Sequence, residues 1–192
     1  MKTSSNLTTD QEKALALLQF NNDDFFIIET EEEAFIFEGN EEEARSEFLD
    51  DIEGTEEADI DANFLIYCQN NLTEVEEYDE NDYNNDYLVL TDDEADEKSK
   101  EYILDSLWAF NASFIAGEID LDEEVIQAIQ DNGKCESNND TIFNLIKKLG
   151  DIDSFIDAAI SADGRGHFMS SYDGCENEET INGTTYYIYR QN

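Results

Sequence analysis

Between residues 21 and 97 the chain carries thirty acidic side chains against one basic side chain, Arg45. No other feature narrows its fold and its partners so far. Over all 192 residues, 50 Asp and Glu face 10 Lys and Arg, for a net charge of −40 with a single histidine. A compact state with that charge repels itself, so the charge is expected to have a use. Contact with nucleic acid or an anionic membrane needs basic residues that displace counterions, and direct binding to DNA, RNA or lipid headgroups is therefore excluded as a role. The distribution is lopsided: residues 98–192 hold eighteen acids and seven bases, and residues 1–20 are neutral.

The acids are not pooled in a tail. FFIIETEEEAFIFEG sets Glu29 and Glu31–Glu33 between two apolar runs, and EEEARSEFLDDI places Ala44, Phe48, Leu49 and Ile52 at helical spacing. With 40% hydrophobic residues, 12 Phe and 9 Tyr, the chain can bury a core, which a disordered acidic segment cannot. The length suits two parts, an acidic segment over 1–86 and a helical block over 87–192, or one compact unit. No apolar run reaches the roughly 20 residues of a membrane span. The N-terminus shows no signal-peptide pattern. Three separated cysteines, Cys68, Cys135 and Cys175, read as reduced thiols of a cytosolic protein.

The coarse pattern is α+β. Thr9-x-x-Glu12 reads as a capping box opening a helix to about Phe20. Asp24–Ile28 and Ala34–Glu38 read as strands joined by an acidic turn, and a helix follows over Glu41–Asp51 with Asn40 as cap. Asn63–Tyr67 fits strand or helix, and 70–86 reads as loop with a short element at Leu72–Tyr78. Tyr87–Leu90 reads as a buried strand. Thr91-x-x-Glu94 opens a long helix through TDDEADEKSKEYILDSLWAF. Helices are expected over Glu123–Asp131, over Thr141–Leu149 with Asn139 or Asp140 as cap, and over Asp151–Ser161. Asn182-Gly183 before TTYYIYR signals a C-terminal hairpin.

Several chemistries lack their residues. GxxxxGK[ST] and HExxH are absent, a single histidine cannot build the common zinc sites, and no acidic stretch meets the EF-hand pattern. Neither a cofactor nor a dedicated metal site is expected. One segment holds catalytic residue types: Asp163, Arg165, His167, Tyr172, Asp173 and Cys175. Asp163, His167 and Cys175 would make a Cys/His hydrolase or transferase site if the side chains met. The structural alternative treats Asp163, Arg165, His167, Tyr172 and Asp173 as a turn motif. There Gly164, Gly166 and Gly174 form turns, Arg165 bridges carboxylates or carbonyls, and His167 packs within a strand.

Asp163-Gly-Arg-Gly-His167, followed by Tyr172-Asp-Gly174, Glu176 and Tyr187-Ile-Tyr-Arg190-Gln-Asn192, resembles a C-terminal signature of small uncharacterised proteins of bacteriophages and mobile elements. Asp92–Ile115 is similar to the central helix of that group. The resemblance covers roughly residues 87–192 and brings no activity with it. It implies a mobile-element origin and action in the cytoplasm of a bacterial host.

Three readings of the acidity follow. In the first, the protein is a DNA mimic of the anti-restriction or anti-CRISPR kind that blocks a basic host nuclease, restriction enzyme or CRISPR effector without catalysis. B-DNA carries one charge per roughly 1.7 Å of axis, and a fold can copy a strand by repeating carboxylates every 6–7 Å or so. Residues i and i+4 of a helix and alternate residues of a strand both supply about that step. The candidate contacts are Glu31, Glu32, Glu33, Glu41, Glu42, Glu43, Glu47, Asp50, Asp51, Glu53, Glu56 and Glu57. A second cluster is Asp92, Asp93, Asp96 and Glu97, and dimerisation would lengthen the charged face. In the second reading the protein is an acidic adaptor or virion-associated module that docks on a basic protein without resembling DNA. In the third it has a halophile's solvated surface, which would spread the acids evenly.

Overall fold

The computed structural model describes residues 6–51, 60–81, 86–133 and 135–192. The fold is α+β, with 58% helix among the described residues and small antiparallel sheets. The chain forms two compact units. The first is built from the described residues of Met1–Asn85, Val89–Thr91 and Glu178–Ile188, and the second from those of Asp86–Leu88, Asp92–Asn177 and Tyr189–Asn192.

The first unit begins with α1 (Thr9–Asn21). Its capping box starts one residue earlier than the sequence suggests: the Thr8 hydroxyl accepts from Gln11 N–H, and the Gln11 side chain accepts from Thr8 N–H. Glu12 is thereby released from capping, and its carboxylate accepts from the Tyr186 hydroxyl and from Asn182 Nδ2. Strands β1 (Phe25–Glu29) and β2 (Ala34–Glu38) pair antiparallel with Phe26 opposite Phe37 and Ile28 opposite Phe35. Residues 73–75 lie along the free edge of β2, where Glu38 N–H donates to Thr73 O at 3.1 Å and Val75 N–H to Ile36 O at 2.8 Å.

Helices α2 (Glu41–Asp51) and α3 (Ile60–Asn71) complete this unit's core of Phe26, Phe37, Ala44, Phe48, Phe64 and Cys68. The Asn63–Tyr67 run is thus helical: Phe64 and Cys68, four residues apart, share the buried face. Rings of Phe26, Phe37, Phe48 and Phe64 lie 5.4–6.2 Å apart in successive pairs. Burying each such ring contributes about 1.5–3 kcal/mol, the main force opposing the charge repulsion of this half.

The second unit contains α4 (Asp92–Asp105), α5 (Ala112–Glu118), α6 (Glu123–Asn132), α7 (Asn139–Leu149), α8 (Ile152–Asp163) and α9 (Arg165–Met169). The long helix expected from Thr91 ends at Asp105, and Leu107–Ala109 tightens into a 3-10 turn that sends the chain into α5. Asp122 and Asp151 cap α6 and α8 through Glu124 N–H and Ser154 N–H. Helix α7 starts at Asn139, with Asn138 at the cap position and no side-chain cap bond. Asn139 is used elsewhere: its side chain accepts from Trp108 N–H and donates to Leu104 O. The core holds Ile103, Leu107, Ile115, Ile126, Ile142, Ile146, Phe155 and Ala159.

Strands β3 (Tyr87–Leu90), β4 (Asn177–Ile181) and β5 (Thr184–Arg190) form a sheet in the order β3-β5-β4. The expected hairpin is therefore two strands of three. Asn182 and Gly183, at φ +50° and +89°, give its two-residue turn the positive φ pair that a type I′ hairpin requires.

Candidate functional site

The acidic residues fall into three structural settings. Glu31, Glu32 and Glu33 are exposed in the β1–β2 connection. The Thr30 hydroxyl accepts from Glu33 N–H at 3.0 Å and Glu32 N–H at 3.3 Å, which folds this segment into a turn. The alternate spacing of an extended strand therefore does not apply to Glu31 and Glu33.

Helix α2 is the second setting. Asn40 Oδ1 accepts from Glu42 N–H at 2.9 Å and Glu43 N–H at 3.3 Å, starting the helix where acids suit its dipole. Ala44 and Phe48 point inward, while Glu42, Glu43, Glu47 and Asp50 are exposed. Glu43, Glu47 and Asp50 follow one another at steps of about 6 and 4.5 Å along the axis. Glu41 stands apart: it pairs with Arg45 at 3.0 Å, and Arg45 also reaches Asp61 at 3.6 Å and lies 4.3 Å from the Phe64 ring centroid. Asp51 ends α2, its side chain outside the described residues, as are Glu53, Glu56 and Glu57.

On α4 the second cluster splits. Asp92 and Asp96 turn to Arg165, whose Nη1 donates to each at 2.8 Å. Asp93 and Glu97 are exposed without an ion pair among the described residues. The helix continues their row with Glu101 and Asp105, both exposed and both outside the sequence-based set. Asp93, Glu97, Glu101 and Asp105 thus form a ladder of four carboxylates at steps of about 6 Å, spanning about 18 Å and winding slowly because each step turns about 40°. The i, i+4 recurrence was present in the sequence. What identifies it as one row is the unbroken helix to Asp105.

Arg165 is the centre of the C-terminal motif. Its side chain is 12% exposed and also binds Glu176, Nε to Oε2 at 2.9 Å and Nη2 to Oε1 at 3.3 Å. The Tyr189 hydroxyl donates to the same carboxylate at 2.6 Å. Burial opposes the guanidinium charge, but Glu176, Asp92 and Asp96 outweigh it and hold its pKa above the usual arginine value. His167 lies in α9, not in a strand, and Gly166 belongs to that helix rather than to a turn. The reason is a close approach: a Cβ on Gly166 would sit 2.5 Å from Gly174 O.

Asp173 accepts from Cys175 N–H at 2.9 Å and the Ser170 hydroxyl at 2.8 Å, in that order the causes that hold its carboxyl below the usual range. The Tyr172 ring lies under Arg190, 3.9 Å from guanidinium carbon to centroid. Asp163 and His167 line one pocket, and Cys175 is not among its walls. The Cys175 thiol instead donates to Asp173 O at 3.6 Å. No hydrogen bond joins His167 to Asp163 or Cys175 among the described residues, so the nucleophile–base contact of a Cys/His site is not formed there. No group of three or more metal-ligating side chains comes together among the described residues. Nor, among them, is any helix long and apolar enough to cross a membrane. No protein family, no curated protein and no solved structure matches the chain.

Proposed function

We propose that this protein is a DNA mimic of phage or mobile-element origin that occupies the DNA-binding groove of a basic bacterial nuclease or DNA-bound regulator, acting without catalysis. The observation that carries the reading is the α4 ladder, Asp93, Glu97, Glu101 and Asp105, held on a regular helix at a phosphate-like step. The exposed row on α2, Glu43, Glu47 and Asp50, repeats the device in the first unit. Such a surface steers a phosphate-binding protein toward it, and the attraction falls steeply with salt.

The test begins with capture of a basic partner from nuclease-treated bacterial lysate. Its bound, fluorescently labelled duplex is then titrated with the protein. Displacement of the duplex, weakening with salt, supports mimicry. The triple variant Glu97→Gln, Glu101→Gln, Asp105→Asn is expected to displace DNA about tenfold less well at unchanged helicity. A ternary complex that retains DNA overturns mimicry. It would support the adaptor reading instead, which one observation favours: Leu49, 55% exposed on α2, offers an apolar contact that no phosphate strand has.

A further inference from the structure

A pocket of about 540 Å³ in the second unit is lined by Tyr102, Phe110, Phe114 and Phe168 together with Asp163 and His167. We propose that it receives the guanidinium of an arginine side chain from the protein partner. The inference rests on the mimicry reading and adds to it a specific anchor.

Three observations carry it. First, four of the lining side chains are aromatic, and one of them, Tyr102, is open to solvent. Phe110 stacks on Phe114 and on Phe168 at centroid distances of 5.7 and 6.1 Å, all three rings are half-buried, and Tyr102 is 51% exposed. A planar guanidinium stacks on such faces and is drawn to their negative quadrupole.

Second, two helices end here. The last turn of α4 contributes Tyr102, and α8 ends at Asp163. A helix C-terminus carries partial negative charge and favours a cation. Neither helix has a basic residue in its last turn, and each ends in an aspartate, Asp105 and Asp163. Asp163 is the one acid on the pocket wall and His167 the one nitrogen base, and α5 starts beside them at Asn111.

Third, the pocket begins where the carboxylate ladder stops. Tyr102 lies between Glu101 and Asp105 in sequence, on the same helix. A basic groove that follows the ladder arrives at the pocket. An aliphatic stem and a planar head are what its apolar, acidic and aromatic surfaces complement. The anchor also supplies a salt-resistant part of the affinity, which carboxylate rows alone do not have.

The test uses the full chain, ¹⁵N-labelled, at physiological ionic strength. It is titrated with n-butylguanidinium as the arginine probe and with n-butylurea as its neutral isostere. Saturable amide shifts confined to 102–114 and 162–168 are expected, with the urea at least about fivefold weaker. Asp163→Asn is expected to weaken the guanidinium about three- to fivefold, and His167→Lys, which tethers a cation on the pocket wall, to abolish saturation. Both positions are exposed, and the spectra themselves report the fold. Equal binding of the urea, or guanidinium shifts spread over all acidic residues and unchanged by Asp163→Asn, overturns the proposal. The duplex-displacement assay separates the two claims. Displacement that survives while the guanidinium fails to bind overturns the pocket alone. Failure of the wild-type chain to displace DNA overturns the function and, with it, the assignment of the occupant to a DNA reader.

Discussion

Arg165 and Glu176 meet as a two-pronged fork, Nε to Oε2 at 2.9 Å and Nη2 to Oε1 at 3.3 Å, with Asp92 and Asp96 each accepting from Nη1 at 2.8 Å. One fork thus ties α9, α4 and the stretch before β4 together within the second unit.

Arg165→Met should lower the unfolding free energy by about 3 kcal/mol, because it leaves the Glu176 carboxylate, only 25% exposed, with the Tyr189 hydroxyl but no counter-charge. Lysine should not rescue it, since a single ammonium cannot bridge both sides of the fork. Asp92→Asn and Asp96→Asn should each lose less than about 1 kcal/mol, as both carboxylates are about two-thirds exposed. Urea unfolding followed by circular dichroism measures all four.

Gly166 and Gly117 should respond oppositely to alanine. At Gly166 the added methyl would meet the backbone of Gly174, Cys175 and Glu176 at 2.5–2.8 Å, and a loss of about 2 kcal/mol or more is expected. Gly117, in α5, has nothing within 4 Å of that position, and Gly117→Ala should gain about 0.5–1 kcal/mol. Thermal melts of the pair decide it.

Two carboxyls should shape the acid limb of stability. Asp173 is held low by Cys175 N–H and then the Ser170 hydroxyl, and Asp151 by the Ser154 N–H and then its hydroxyl. A depressed folded pKa gives stability that is complete above the unfolded carboxyl value of about 3.9 and is lost as pH falls through the folded value. Protonating the many other acids works the other way by relieving self-repulsion. The difference between variant and wild type is therefore the quantity to measure, as urea midpoints from about pH 5 to about pH 2. Asp173→Asn should lose stability at the upper end and converge on wild type at the lower. Asp151→Asn should remain nearer wild type throughout, because asparagine caps a helix about as well as aspartate.

Cys68 and Cys175 should differ in reactivity. Cys68 is fully buried, and burial pushes its thiol up to about 11. Cys175 is exposed. Iodoacetamide at neutral pH should label Cys175 in the folded chain and Cys68 only after unfolding, as read by peptide mass spectrometry.

How much was legible in the sequence varies with the distance over which each feature is written. Asn40 caps α2 through N–H groups two and three residues on, and Asn182-Gly183 sets its turn by its own φ preferences. Such signals are complete within a few residues, and the strands of the first hairpin fall within one residue of the runs that mark them. For the α1 capping box Thr8 and Thr9 both fit the sequence pattern, and only the geometry selects Thr8 and shows that Glu12 is held by Tyr186 instead.

The acidic excess, the α+β pattern and the helical spacing of the acids were determined by the sequence alone, because composition and local periodicity need no knowledge of distant neighbours. Only tertiary structure decided which carboxylates are taken up in ion pairs. Asp92 and Asp96 are bound by an arginine 73 and 69 residues away, while Asp93, Glu97, Glu101 and Asp105 line the exposed side of the same helix. The same holds for His167, which is helical because the backbone at 174–176 packs on Gly166 and Arg165 is gripped from α4. The physical reason is that an ion pair or a close backbone approach depends on distance in space, and the chain records only distance along itself.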